Sequence, residues 1–206
     1  MENLIFNFHT SIFFLVSYLV GSIPFGYLIY KFKNGDDIRK YGSGNIGATN
    51  VNRLMGKKLG IITLLFDFFK TFLVTIYITY LYGNELGTIC GFFSILGHIF
   101  PIWLKFKGGK GVASFLGLLS IISWPLTLIF CLTWLITVKI FKFSGIGAIT
   151  AVILNTIIFK LVLLVQFSNN IILWFPGTPF EFNITIILSL IILFKHHSNL
   201  ISFFKK

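Results

Sequence analysis

The stretch LGIITLLFDFFKTFLVTIYITYLY, residues 59–82, is dominated by apolar side chains yet carries Asp67 and Lys70. As a helix it is long enough to cross the roughly 30 Å hydrocarbon core of a bilayer. The two charges stand three residues apart, on one helical face, where pairing lowers the cost of immersion. Two readings stay open for them: a structural pair turned toward the centre of a bundle, or a functional one. Comparable apolar stretches recur on both sides. The chain is 56% hydrophobic, contains 26 Phe and has a mean hydropathy of +0.90, well above a soluble domain. This composition predicts an all-α polytopic membrane helix bundle. With 206 residues used largely for spans, one domain is expected, 1–206. The opening MENLIFNF has neither a basic n-region nor a small-residue cleavage site, so the first apolar stretch is read as a span. Cys90 and Cys131 fall in apolar helical stretches and are read as small hydrophobes, without a disulfide or metal role.

Positive charge orders the spans. All but Lys70 and Lys160 of the 17 Lys and Arg lie in four clusters, at 31–58, 105–110, 139–142 and 195–206, and the segments 83–87, 123–125 and 166–182 hold none. The positive-inside bias places all four clusters in the cytoplasm. Spans are then expected at 4–30, 59–82, 86–104, 112–122, 124–138, 144–165 and 183–194, seven helices with the N-terminus outside. A single helix over 111–138 is the alternative, but it would be about 42 Å long and would put Lys139 and Lys142 on the wrong side. Pro125 supplies a natural break. Asn45, Gly109 and Lys206 are therefore expected on the cytoplasmic side, Glu85 and Trp174 outside.

Between the first two spans lies KYGSGNIGATNVNR, residues 40–53, polar, rich in Gly and Asn, and ending in Arg53; KFKGGKG, residues 105–111, repeats the chemistry. Glycine lets a backbone approach an oxyanion and present its N–H groups. Ser43 and Thr49 add hydroxyls, while Arg53, Lys107 and Lys110 add charge. Together the loops point to an anion site; the alternative is a pair of tight turns bearing topology-setting lysines. Neither is a Walker loop, since GGKG runs into Val112 rather than Ser or Thr. His98, just before the second loop, reads either as a packed helix-end residue or as part of the site. No nucleophile elbow, zinc His–Glu pair or Cys–His constellation occurs. Catalysis would then rest on orientation and charge, which suits attack of an alcohol on an acyl group with a good leaving group. No metal, other cofactor or nucleic acid is expected. A transporter or binding protein for small phosphorylated anions is the competing class, although paired broken helices in matching halves, the mark of alternating access, are not visible.

GSIPFGYLI at 21–29, GSGNIGATNVNR at 42–53 and GHIFPIWLKFKGGKGVA at 97–113 resemble signature segments of a known family. These belong to the bacterial membrane-embedded glycerol-3-phosphate acyltransferases that use acyl phosphate as donor. KHHSNL at 195–200 resembles that family's third motif through His196 and Asn199. The likeness runs over essentially the whole chain. It implies seven helices with cytoplasmic motif loops, a place among the lipids of the bacterial cytoplasmic (inner) membrane, and the first acylation of phospholipid biosynthesis. That reaction takes acyl phosphate and glycerol-3-phosphate to 1-acyl-glycerol-3-phosphate (lysophosphatidic acid) and phosphate. The resemblance makes Ser43, Arg53 and Lys110 ligands of the acceptor phosphate, has His196 and Asn199 close the pocket from the tail, and brings Lys107 to the donor phosphate. It places Gly42, Gly44, Asn45, Thr49, Asn50, Gly108 and Gly109 around the substrates. Ser144 matches the first Ser of a Ser-x-x-Ser turn whose second is Gly147 here. Further departures are Ser202, where the family carries Arg, Thr71, where Gly tends to follow Asp-x-x-Lys, and the end at Lys205–Lys206, which lacks a Gly-Thr-Glu-like segment. Intact loops with a drifted periphery read as an active but reduced enzyme.

Overall fold

The computed structural model describes residues 8–205, all helix, turn and connection, with no strand among them. Residues 4–7 of the first expected span, and Lys206, lie outside the described residues. The chain forms two compact units divided inside one helix, between Leu118 and Leu119.

The first unit holds α1 (Phe8–Gly21), α2 (Phe25–Asn34), α3 (Ala48–Met55), α4 (Lys57–Tyr82), α5 (Asn84–Ile99) and the start of α6 (Val112–Ile122). Residues 10–34 are long and apolar enough to cross a membrane, but the helix expected over 4–30 is interrupted at Ser22–Pro24, where proline has no N–H to continue the ladder. α4 confirms the stretch that opened the sequence reading. Its buried stripe is mostly polar, with Thr63, Asp67, Lys70, Thr71 and Thr75 beside Gly60 and Ile78, whereas Leu64, Leu65, Phe69, Leu73 and Tyr77 are exposed. Helix contacts inside lipid favour small and hydrogen-bonding side chains, because lipid tails are as apolar as leucine. Thr71 Oγ1 accordingly meets Ser94 Oγ of α5 at 2.9 Å. α1 and α5 touch through Gly21 and Gly97, and a Cβ on either would overlap backbone of the other helix.

The second unit holds the remainder of α6, α7 (Trp124–Phe141), α8 (Ser144–Asn169), α9 (Pro179–Lys195) and α10 (His197–Phe204). Ser123 is extended and Pro125 sits in the first turn of α7, so the expected break at 123–125 is present. Asn155 Nδ2 donates to the Leu126 carbonyl at 2.9 Å, joining α8 to α7, and Thr156 meets Ser189 of α9 at 3.0 Å. α9 starts on a reciprocal cap: Thr178 N–H donates to Glu181 Oε2 at 2.8 Å, and Glu181 N–H donates to Thr178 Oγ1 at 3.3 Å.

The protein is thus an all-helical, multi-pass membrane bundle. Where the sequence predicts seven spans, five helical stretches among the described residues are individually long and apolar enough to cross, and there are six if α9 and α10, bent by 45° to each other, count as one broken span. α6 keeps its expected bounds, but its 11 residues rise only about 17 Å.

Sidedness is tested with Lys105→Cys and Glu85→Cys, both at exposed positions, in a Cys131→Ser background, Cys90 being buried. An impermeant thiol reagent on intact cells is expected to label Glu85→Cys and spare Lys105→Cys; the reverse would invert the proposed orientation.

Candidate functional site

The sequence reads 40–53 as one loop; the structure ends that loop at Gly47 and makes Ala48–Met55 the helix α3. The organising residue is Asn50, 1% exposed. Its Oδ1 accepts the Ser43 N–H at 2.9 Å, and its Nδ2 donates to the carbonyls of Tyr41 at 3.1 Å and Asn45 at 2.9 Å. Arg53, one helical turn on, brings a guanidinium nitrogen to 3.4 Å from the same Oδ1. Ser43 and Arg53 thus meet at one atom, while Asn50, expected beside the substrates, has its amide engaged in holding the loop. Ser43, Gly42, Gly44, Thr49 and Arg53 are exposed, and Asn45 is half-buried. Arg53 stands in the last turn of α3 rather than at the end of a loop.

The second loop folds back on the end of α5. Phe106 N–H donates to Pro101 O at 2.9 Å, Lys107 to Leu104 O at 3.2 Å, Gly108 to Ile99 O at 3.2 Å and Gly109 to His98 O at 3.1 Å. The sequence-based expectation that this glycine run offers its amides to an anion is corrected here, since those of 106–109 are already bonded. Gly108 and Gly109 instead permit the close return: a Cβ on Gly108 would overlap His98 O, and one on Gly109 would overlap the His98 ring. Lys105 and Phe106 are left-handed, with φ of 52° and 61°, a conformation that costs about 1–3 kcal/mol per non-glycine residue. Lys107 is exposed and Lys110 half-buried.

Tyr30, Ile38, Ile46, Val51 and Leu104 form a small core that packs the two segments together, and Arg39 donates to Leu104 O at 3.2 Å. Beside it lies a cleft of about 390 Å³ lined by Arg39, Trp103, Leu104, Lys105 and Lys107. Of these only Lys107 was singled out in sequence; the others were visible merely as positive charge and an interfacial aromatic. Arg39 pairs with Asp37 at 2.6 Å and Lys40 with Asp36 at 2.8 Å. The guanidinium holds the Asp37 carboxyl below the usual aspartate range. Among the described residues, Arg53, Lys57, Lys58, Lys105 and Lys107 have no carboxylate at ion-pair distance. This end of the unit therefore carries cations available to an anion.

Within the second unit, Asn199 of α10 meets the start of α8 beside Ser144, and His196 stands one position before α10. Asn199 packs its side-chain amide against the backbone of Gly145, next to Ser144. His196 is 3% exposed at the bend between α9 and α10. Its Nδ1 lies 2.8 Å from Ile192 O; a carbonyl only accepts, so Nδ1 carries the hydrogen.

A family model for glycerol-3-phosphate acyltransferase matches residues 11–206. The Bartonella henselae glycerol-3-phosphate acyltransferase is 42% identical over 201 residues, covering 96% of this chain and 89% of the relative. Glycerol-3-phosphate acyltransferase 2 of Thermotoga maritima is 45% identical over 148 residues, 71% of this chain and 76% of its own. The crystal structure of an integral membrane glycerol 3-phosphate acyltransferase in its glycerol 3-phosphate form aligns with a TM-score of 0.79 at 33% identity, covering 93% of this chain and 90% of that one. The lysophosphatidic acid form of such an enzyme aligns with a TM-score of 0.76 at 31% identity and the same coverage.

Asn50→Ala removes four hydrogen bonds, three of them to loop backbone groups that lose their partner, so it is expected to destabilise the first unit by about 2–3 kcal/mol. Melting curves in detergent check this: Asn50→Ala should lower the transition clearly, whereas Arg53→Ala, at an exposed position, should leave it nearly unchanged.

Proposed function

This chain belongs to the glycerol-3-phosphate acyltransferase family. From that premise we propose that it transfers an acyl group from acyl phosphate to glycerol-3-phosphate, giving 1-acyl-glycerol-3-phosphate and inorganic phosphate. The observation that carries the reading is the pair of polar segments packed through Leu104 at one end of the first unit, with Arg53, Lys57, Lys58, Lys105 and Lys107 unmatched by carboxylates among the described residues. Glycerol 3-phosphate and lysophosphatidic acid forms of a structurally similar enzyme are the substrate and product sides of this reaction. The setting is a multi-pass protein of the bacterial cytoplasmic membrane, acting as one acyltransferase domain over 1–206.

The acceptor phosphate is held by Ser43, Arg53 and Lys110, with Thr49 at the exposed start of α3. Lys107 meets the donor phosphate. The primary hydroxyl oxygen of glycerol-3-phosphate attacks the acyl carbonyl carbon, forming the ester C–O bond as the bond to the phosphate oxygen breaks. Phosphate leaves with the bonding pair and accepts the hydroxyl proton, so no protein base is called for. The cations stabilise charge on the carbonyl oxygen and the departing phosphate, where electrostatics lowers the barrier most. Binding both partners at one mouth supplies orientation. Ser144, His196 and Asn199 are assigned to substrate handling by the same reading.

Purified protein is expected to release phosphate from acyl phosphate only when glycerol-3-phosphate is present, and to keep doing so in chelator; strong activity with acyl-CoA alone would overturn the assigned donor. Arg53→Lys loses the planar fork that grips a phosphate and should weaken kcat/KM for glycerol-3-phosphate sharply. Arg53→Ala and Lys110→Ala should lower it about a hundredfold or more, as loss of a charge-assisted contact would. Normal kinetics in these variants would return the loops to the role of topology signals.

A further inference from the structure

Three ionisable side chains lie under the second loop with no part in the chemistry above. Asp67 and Lys70 of α4 and His98 of α5 are 2%, 6% and 4% exposed. Lys70 Nζ is 2.9 Å from Asp67 Oδ1, 2.9 Å from the Ile23 carbonyl and 2.9 Å from His98 Nδ1. His98 Nδ1 stands 3.4 Å from Asp67 Oδ1. An ammonium has three hydrogens and no lone pair, and three acceptors surround this one. His98 Nδ1 is then an acceptor, which in a neutral imidazole puts the hydrogen on Nε2.

The far edge of that ring is the surface on which the loop rests. A Cβ on Gly109 would overlap Nε2 and stand 2.7 Å from Cε1 and 3.0 Å from Cδ2. The cluster also reaches α6, since Ser114 Oγ donates to the Asp67 carbonyl at 2.9 Å. The loop is thus anchored where it enters α6, just after the left-handed Lys105 and Phe106. A buried ion pair by itself adds little stability over apolar residues of the same shape, so stability alone does not explain three buried polar side chains at this one place.

We propose that Asp67, Lys70 and His98 form a positioning unit for the second loop: Lys70 fixes the His98 tautomer and orientation, and the fixed ring seats Gly109 and so sets where Lys110 stands. The effect on substrate rests on the reading of Lys110 as a phosphate ligand; the effect on the loop does not.

His98→Asn tests it, because its amide oxygen can replace Nδ1 as acceptor for Lys70 while nothing replaces the ring edge beneath Gly109. Hydrogen exchange by mass spectrometry should show the amides of Gly108 and Gly109 exchanging about tenfold faster or more, with α4 and α5 unchanged. KM for glycerol-3-phosphate should rise about tenfold while kcat moves within about threefold, a split that general loss of structure does not produce. Gly109→Ala should give the same KM rise in the native background and little further change beside His98→Asn, since its collision is with the ring. Unchanged exchange and unchanged KM in folded His98→Asn overturn the proposal. If that variant does not fold, a normal KM and normal exchange in Gly109→Ala overturn it instead. Normal kinetics in Lys110→Ala beside altered loop exchange in His98→Asn would refute the phosphate reading and leave the positioning role standing.

Discussion

Lipid tails offer no hydrogen bond, so a polar atom carried below the headgroups has to find its partner inside the protein, and the interior of each unit is arranged by that requirement. In the first, Lys70 meets Asp67, Ile23 and His98, and Thr71 meets Ser94. In the second, Asn155 Nδ2 donates to the Leu126 carbonyl in the first turn of α7. Much of the usual order of a soluble core is reversed on α4, which turns Thr63, Thr71, Thr75 and its ion pair inward and Leu64, Leu65, Phe69, Leu73 and Tyr77 out. Polar contacts of this kind are directional, so they fix which helix faces touch, a choice that apolar packing against equally apolar lipid leaves weakly determined.

The same need for partners shapes the loops, where it removes some ligand candidates and leaves others. The backbone amides of Gly108 and Gly109 close onto the end of α5, those of Phe106 and Lys107 onto Pro101 and Leu104 just after it, and the Asn50 amide closes the first loop. What remains accessible is side-chain charge, on Arg53, Lys57, Lys58, Lys105 and Lys107, with the half-buried Lys110 at the foot of α6. On the proposed function, recognition at this mouth rests on cations held in place by a rigid backbone, in contrast to a nest of amides around an anion.

Sequence made the spans legible because their signal is local: apolar length marks α4, α5, α7 and α8, and Pro125 marks the break before α7. It missed the interruption at Ser22–Pro24, since an apolar run hides a short gap, and it missed α3, whose polar surface shows no wide apolar stripe and whose buried side is only Asn50 and Val51. The motif residues of both loops were identified, yet the distinction between those that face outward, such as Ser43 and Arg53, and those that build the loop, such as Asn50 and Gly109, depends on bonds to residues far along the chain. Asp67 and Lys70 could be paired from their spacing. That His98 joins them could not be, because it arrives from another helix, 28 positions away from Lys70.

On the proposed function, the uneven exposure of the cations separates two events that the anion undergoes at this mouth. Arg53, Lys57, Lys58, Lys105 and Lys107 stand in solvent, where their field is screened over about 8 Å at physiological ionic strength. Their pull on an approaching dianion therefore weakens as salt rises, and with it the rate of encounter. Lys110 is half-buried, and a contact made there is screened much less. Added salt should act mainly on arrival and little on residence, so a docked anion outlasts changes in ionic strength that slow its capture.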